Sequence, residues 1–513
     1  MAQAPKPHPP FAWLGRFWVP VGLACVVGVA AFFRFYLLDS LPPGLDETSA
    51  RIGLNALATG PSHWFPSLSS TNGYAPLWVW LQAISVHIFG HTSLALRLWP
   101  ATLGTLAVFV SWFWMRDWFG KRIAWIVSFL LAVSPWAVQV SRSGVEAALP
   151  PLLIPLTLWV CSLAARKASP LVYGSLGAVL ALDLLSGPIG WLFTATVLAI
   201  GIWKLAGKHE LMRFTRERLI AGAILALGAA TLAYLIGTSL SSIKTMSQTL
   251  NLVPNIGAAG HNLVKVLLMF NVHGDENYRH NLAGEPMLNA FVGIMIVTGL
   301  LVSISRLHKR PYRVVLILAP ILLLPAVLTA TGTPNSSWAI GTLPLVFALA
   351  GIGTGYMLEL WYTTFPINSA ARTTGQAAII LLLALSSLQG YTQYFRAWAG
   401  STAVYQAYNE AAVQIAGHIK SDKFNGERYV VLPQEQIPVV NYLDYQTPSF
   451  RALTSSQLAG LPIPAANRQF YIAAASRDDS VKILKAKFPG GVLHPHYSPF
   501  NQAETYYTYE VNK

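Results

Sequence analysis

"FWVPVGLACVVGVAAFFRFYLLDSLPPGLDETSARIGLNAL" (residues 17–57) begins as a membrane span and ends as something else. Its apolar part, 17–38, is long enough as a helix to cross a hydrocarbon core of about 30 Å. Pro42 and Pro43 cannot prolong that helix, and Gly44 allows a tight turn. Asp46 and Glu47 then stand side by side at the head of a helix-like segment, although the chain has only 21 Asp+Glu against 35 Lys+Arg. Two readings stay open. Acids in a first turn complement the helix dipole, which makes Asp46 an N-cap. A carboxylate at the water–bilayer boundary is also partly desolvated, which raises its basicity and suits a general base.

The bulk composition supports the membrane reading. The chain is 54% hydrophobic and 11% charged, where soluble domains carry about 25% charged residues. Mean hydropathy is +0.47, so this is an integral membrane protein. The 17 Trp, 20 Tyr and 23 Phe suit aromatic belts at both interfaces. The net charge of +14 needs no nucleic acid, because Lys and Arg gather in the cytoplasmic loops of polytopic proteins. Cys25 and Cys161 lie in apolar runs and suggest neither a disulfide framework nor a metal site. The first run is too long for a signal peptide and no small-residue cleavage site follows it. It reads as a retained span with Lys6 and Arg16 on the inner side.

Apolar runs recur at 17–38, 76–90, 93–115, 122–139, 149–164, 170–185, 188–205, 219–238, 287–304, 314–331, 338–357 and 374–391. The loops between them are either basic, as in "RDWFGKR" (116–122) and "SRLHKRPYR" (305–313), or polar with acids. If the short run 76–90 lies along the outer interface, all basic loops fall inside together, as the positive-inside rule requires. The expectation is therefore a polytopic α-helical protein with about 11 transmembrane helices plus interfacial helices. It places the N-terminus in the cytoplasm and residues 400–513 outside. After residue 400 the charges become denser, and strand-like "RYVVL" (428–432), "QFYIAAA" (469–475) and "TYYTYEV" (505–511) alternate with helix-like segments. That pattern predicts a small C-terminal α/β extracytoplasmic domain (400–513) behind a transmembrane module (1–399). No soluble catalytic motif and no fixed-period repeat is present.

Two further stretches hold chemistry on the expected outer face. In "VSRSGVEAALPP" (140–151), Arg142 and Glu146 are spaced to pair at (i, i+4) or to serve a site. In "NVHGDENYRHNLAGEPML" (271–288), Asp275, Glu276, Asn277, Arg279, His280 and Asn281 crowd into seven positions. Such density suits a solvated loop, and equally the recognition of a sugar or a phosphate.

"FRFYLLDSLPPGLDETSARIGLNALATG", "LALRLWPATLGTLAV", "VSRSGVEAAL" and "GDENYRHNLAGEPML", in this order, resemble membrane glycosyltransferases of the GT-C superfamily. The nearer branch is that of aminoarabinose transferases and protein O-mannosyltransferases. The resemblance spans about residues 30–400 and implies a GT-C-like fold in a bacterial plasma membrane. It implies inverting transfer of a sugar from a polyprenyl-phosphate donor to a lipid, glycan or protein acceptor on the outer face. It gives Asp46 the base role, with Glu47 beside it and Glu146 as the second acidic position. A cation then holds the donor phosphate, with Arg279, His280 and Arg142 as candidates in that order. Asp275, Asn277, Asn281 and Tyr74 complete the donor-side set. Where aminoarabinose transferases have a lysine-containing segment, this chain has "NGYAPLW" (72–78), without a cation. Trp338, in "TPNSSWAIGTLP" (333–344), stands where relatives show a His or Arg. No cofactor is certain; a divalent metal stays open, because an Asp-Glu pair alone is not a metal site. The partners expected are the lipid-linked donor, its acceptor and membrane lipids. Transport of a lipid-linked saccharide and a non-catalytic membrane scaffold are the alternatives. The acids at loop edges and the lack of an inverted repeat argue against transport.

Overall fold

Helix α1 (Leu14–Phe35) carries the first apolar run, and the chain leaves it through the double proline into α2 (Glu47–Ala58). This is a computed structural model, and it describes residues 14–58, 73–167, 169–206, 253–330, 332–421, 427–445, 450–460, 468–474, 479–500 and 502–512. The expected span at 219–238 lies outside the described residues.

Among the described residues, six helices are long and apolar enough to cross a membrane: Trp18–Phe35, Ser93–Phe119, Glu146–Arg166, Arg310–Leu328, Ile340–Thr364 and Ser369–Trp398. Pro170–Leu185 and Ala290–Ser305 are shorter apolar helices at two more of the expected spans. The run at 76–90 forms α3 (Pro76–Phe89), whose 14 residues reach only about 21 Å. The expected span at 122–139 is two helices, α5 (Lys121–Val133) and α6 (Pro135–Val140), because Pro135 cannot continue the ladder of the first. A helix at Ile256–Leu268 lies in a loop that the sequence pattern left unstructured. Its Ile256, Val264 and Leu267 are exposed, while Asn262 turns inward and donates to the carbonyls of Val327 and Thr329.

Three buried arginines hold the exit of α1. The last carbonyls of a helix have no partner within it, and a guanidinium is well suited to collect them. Arg142 donates to the carbonyls of Phe33, Arg34, Leu37 and Leu41. Arg97, on α4 (Ser93–Phe119), donates to those of Leu38, Asp39 and Gly44. Arg34 reaches back to Leu131 and Ala132 at the end of α5. The turn that delivers Asp46 is thereby tied to three other elements.

After residue 400 the three expected strands join two that the sequence pattern did not mark (β2 and β4) in one five-stranded sheet, ordered β2-β1-β3-β5-β4: β1 (Glu427–Val431), β2 (Arg451–Leu453), β3 (Arg468–Ala474), β4 (Val492–Tyr497) and β5 (Glu504–Asn512). β1 pairs in parallel with β2 and β3, and β5 runs antiparallel to β3 and β4. This unit shares a core with the membrane part. Leu45, Ala50, Ala83 and Leu96 pack with Ile415, Val430, Val439 and Tyr442. Tyr442 also donates its hydroxyl to the Thr92 carbonyl at 3.1 Å. Gly53 is open to this contact only because it lacks a Cβ, which would come within 2.4 Å of the Tyr442 ring.

Candidate active site

Asp46 precedes the first residue of α2, and its Oδ2 accepts from the Ser49 amide at 3.1 Å and from the Ser49 hydroxyl at 3.3 Å. This is the N-cap expected from the sequence. The other oxygen does something the cap does not require: Oδ1 lies 2.9 Å from Nη1 of Arg279. The same guanidinium takes both oxygens of Glu47, each at 2.7 Å. Its Nε donates to the Ala407 carbonyl at 2.9 Å. One planar fork thus gathers two carboxylates from the loop after α1 and one carbonyl from the segment after residue 400.

Arg279 is itself fixed from behind. Its carbonyl accepts from Gln139 Nε2 at 2.7 Å and from the Tyr408 hydroxyl at 3.1 Å. Burial pushes the Tyr408 phenol far above its usual range, so it remains a donor. Asn409 donates to the Leu45 carbonyl at 3.0 Å and to Glu47 Oε2 at 3.2 Å. The Leu45 amide donates to the Tyr408 carbonyl at 2.7 Å. Gly44 makes this approach possible. A Cβ there would sit 2.1 Å from the Tyr408 carbonyl oxygen, so the glycine serves a close contact as well as the bend at 41–44 expected from "PPG".

The loop 271–288 is organised around Asp275. Its carboxylate is buried and lies 2.9 Å from His280 Nδ1. It also accepts from the Ser336 amide at 2.7 Å, the Ser336 hydroxyl at 2.9 Å and the Asn277 amide at 2.9 Å. Asn277 in turn accepts from the Arg279 amide at 3.0 Å, and Asn281 donates to the Glu285 carbonyl. Asp275, Asn277 and Asn281 therefore shape the loop that presents Arg279 and His280. A cavity of about 130 Å³ opens in front of them, lined among others by Asp46, Gln139, Asn277, Arg279, His280 and Tyr408.

Two electrostatic effects compete here. Burial raises the Asp46 carboxyl above its ordinary range, and the charge of Arg279 only partly counters it. At Glu47 burial also raises, but the Arg279 hydrogen bonds and charge outweigh it and leave the carboxyl below its usual range. The two acids are thereby separated in basicity, with Asp46 the stronger base.

The remaining candidates lie elsewhere. Glu146 accepts from the Ala75 amide at 3.4 Å, at the head of α3, and its neighbour Val145 lines the cavity. Tyr74 stands beside this pair, where burial raises its phenol and Glu146 and Asp46 both add to the effect. Arg142 does not pair with Glu146 and does not reach the cavity. Its guanidinium holds the four carbonyls at the end of α1 and lies over the rings of Tyr394 and Phe395. The loop with Trp338 does reach the site, through Ser337 at the cavity and Ser336 on Asp275. Gln139, Tyr408 and Asn409 are site residues that sequence reasoning missed. Only the left-handed backbone of Asn409 (φ 55°), which favours Asn, was in principle legible.

Arg279 contacts both Asp46 and Glu47, and no cluster of three or more His, Cys, Asp or Glu ligands occurs among the described residues.

A family model described as dolichyl-phosphate-mannose-protein mannosyltransferase matches residues 74–234. No curated protein matches the chain. Among solved structures, ArnT from Cupriavidus metallidurans bound to undecaprenyl phosphate aligns over 98% of each chain at 13% identity, TM-score 0.51. Its apo form aligns over 97% of this chain and 98% of its own at 14% identity, TM-score 0.54. Archaeal oligosaccharyltransferase AglB from Archaeoglobus fulgidus, in complex with an inhibitory peptide and a dolichol-phosphate, aligns over 96% of this chain and 74% of its own at 14% identity, TM-score 0.52. The resemblance read from the loop motifs thus extends to the whole architecture, and the chain is a multi-pass helical membrane protein with the GT-C fold.

Proposed function

We propose that this protein transfers a sugar from a polyprenyl-phosphate donor to a lipid, glycan or protein acceptor, with inversion at the anomeric carbon. The observation that carries the reading is Asp46: a buried carboxylate of raised basicity, held by Arg279 at the wall of a cavity. In this reading the acceptor hydroxyl attacks the anomeric carbon, Asp46 takes its proton, and the sugar–phosphate bond breaks to release polyprenyl phosphate. Arg279 favours the ionised form of Asp46, and Arg279 and His280 line the cavity where a phosphate would be held. Glu146, as a second acid, and Tyr74, on the donor side, stand on the flank. The ArnT and AglB structures, which hold undecaprenyl phosphate and a dolichol-phosphate, support a lipid-phosphate donor. We also assign the site and residues 400–513 to the extracytoplasmic face, on the positive-inside argument.

The test incubates purified protein with a panel of polyprenyl-phosphate sugars, follows release of polyprenyl phosphate, and reads the anomeric configuration of the product by NMR. Asp46→Asn retains a capping oxygen for Ser49 and is expected to fold normally. Its turnover is expected to fall by about 10²–10⁴-fold, the usual contribution of a general base. An Asn variant with full activity refutes the assignment.

A further inference from the structure

A second cavity, of about 290 Å³, lies at the far end of the helices that carry the site. Its walls include Lys121 and Arg122 at the start of α5, Arg306, Tyr312, Tyr356 and Glu359. The helix Leu343–Thr364 begins just after the site loop with Ser336 and Ser337, and Tyr356 and Glu359 lie near its other end. Its 22 residues measure about 33 Å. Likewise α4 starts beside the contact of Thr92 with Tyr442 and ends at Phe119, in the wall of this cavity. Leu343 to Glu359 spans about 24 Å, and Arg97, which holds the Gly44 carbonyl beside Asp46, lies about 33 Å from Phe119 along α4, so the two cavities stand roughly a hydrocarbon thickness apart.

The charges in this second cavity do not balance. Arg306 lies 3.4 Å from Glu359, donates to the Tyr312 hydroxyl at 3.1 Å, and sits over the rings of Tyr312 and Tyr356. That uses the one carboxylate in the wall. Lys121 has no hydrogen bond or ion pair among the described residues. Arg122 is stacked on the Tyr362 ring at 5.1 Å, and its N–H groups have no acceptor among the described residues. Two cations without counter-charge thus stand at an interhelical cavity, at the depth where lipid headgroups lie. Leu301 and Ile304, on the helix that ends at Arg306, are exposed and offer an apolar wall for acyl chains.

We propose that this cavity binds the headgroup of an anionic phospholipid from the leaflet opposite the active site. A phosphodiester would accept from Lys121 and Arg122, and the phenol of Tyr356 would face its glycerol. Topogenic charge alone does not ask for such a site. Orientation depends on the number of cations in the loop, and Lys309 and Arg310 satisfy it equally while lying outside the cavity.

The experiment titrates the full-length protein in neutral detergent with fluorescently labelled phosphatidylglycerol, and separately with labelled phosphatidylcholine. Phosphatidylglycerol is expected to bind at least about tenfold tighter, two cations contributing about fivefold each. Lys121→Gln with Arg122→Gln is expected to weaken phosphatidylglycerol about 30-fold. Lys309→Gln with Arg310→Gln is expected to change it less than about threefold, because neither side chain lines the cavity and their distance from the headgroup leaves them screened. All four side chains are exposed, so both double variants keep the fold. Equal weakening by the two pairs overturns the proposal, as does equal affinity for the two lipids. Displacement of the labelled lipid by millimolar inorganic phosphate also overturns it, because the cavity is then a site for free phosphate.

Discussion

Replacing Arg279 separates the two tasks that its fork performs. Arg279→Gln removes the contacts at 2.7–2.9 Å to Asp46 and Glu47 and the one at 2.9 Å to the Ala407 carbonyl. Breaking a buried ion pair from one side costs about 3–5 kcal/mol. The Arg279 side chain is 29% exposed, so water relieves part of the loss and about 3 kcal/mol is the expected destabilisation. The chemical effect is separate. An adjacent guanidinium lowers a carboxyl pKa, and its removal leaves Asp46 beside Glu47 with burial opposed mainly by the Ser49 donors. The acid limb of the pH–rate profile should therefore move to higher pH. Activity should fall towards the acid end and recover as pH rises, where Asp46 again ionises. Arg279→Lys keeps the charge but not the two-pronged grip, and is expected to shift the limb by about half as much. Initial rates of polyprenyl phosphate release between pH 5 and 9, with thermal unfolding in the same detergent, read both quantities. If Arg279→Gln keeps the wild-type acid limb, Arg279 does not govern the base.

Two other substitutions probe the supports of the site. Gly44→Ala places a Cβ 2.1 Å from the Tyr408 carbonyl oxygen. Backbone must move on both sides, so a loss of at least about 1–3 kcal/mol and a large fall in turnover are expected; wild-type stability would show that this contact does not form. Asp275→Asn removes the charge and one of the two oxygens that serve Ser336 and His280 on one side and Asn277 on the other, at about 2–4 kcal/mol near neutral pH. The sign of its pH dependence follows from the shift. Burial raises the Asp275 carboxyl, but the His280 and backbone donors outweigh it and leave it below 3.8. Its stabilisation is therefore present above about pH 4 and lost as pH falls through the lowered folded value. The difference in unfolding temperature between wild type and Asp275→Asn should shrink below about pH 4; a constant difference would mean that the stabilisation does not involve ionisation.

What the sequence determined by itself is whatever depends on order along the chain. The apolar runs mark the membrane helices because a bilayer imposes a minimum length on each. The double proline ends α1 after the run at 17–38, and the acids at 46–47 open α2, because breaking and capping are local acts. The alternation after residue 400 foretold β1, β3 and β5 for the same reason, but not β2 and β4. The order of the loop motifs carried the resemblance to the GT-C superfamily. Tertiary structure decided who meets whom. Arg279 lies 233 positions after Asp46 in sequence, and only the fold sets its guanidinium on both carboxylates. Arg142 had the same apparent credentials, but it lies inside, where the bare carbonyls of α1 claim it. Tyr408 and Asn409 belong to the site because the segment after residue 400 returns against Gly44 and Leu45. A carboxylate's basicity depends on burial and on the charges around it, and neither is a property of its place in the sequence. Asp46 could be located from the sequence, but its separation from Glu47 as a base arises only in the folded chain.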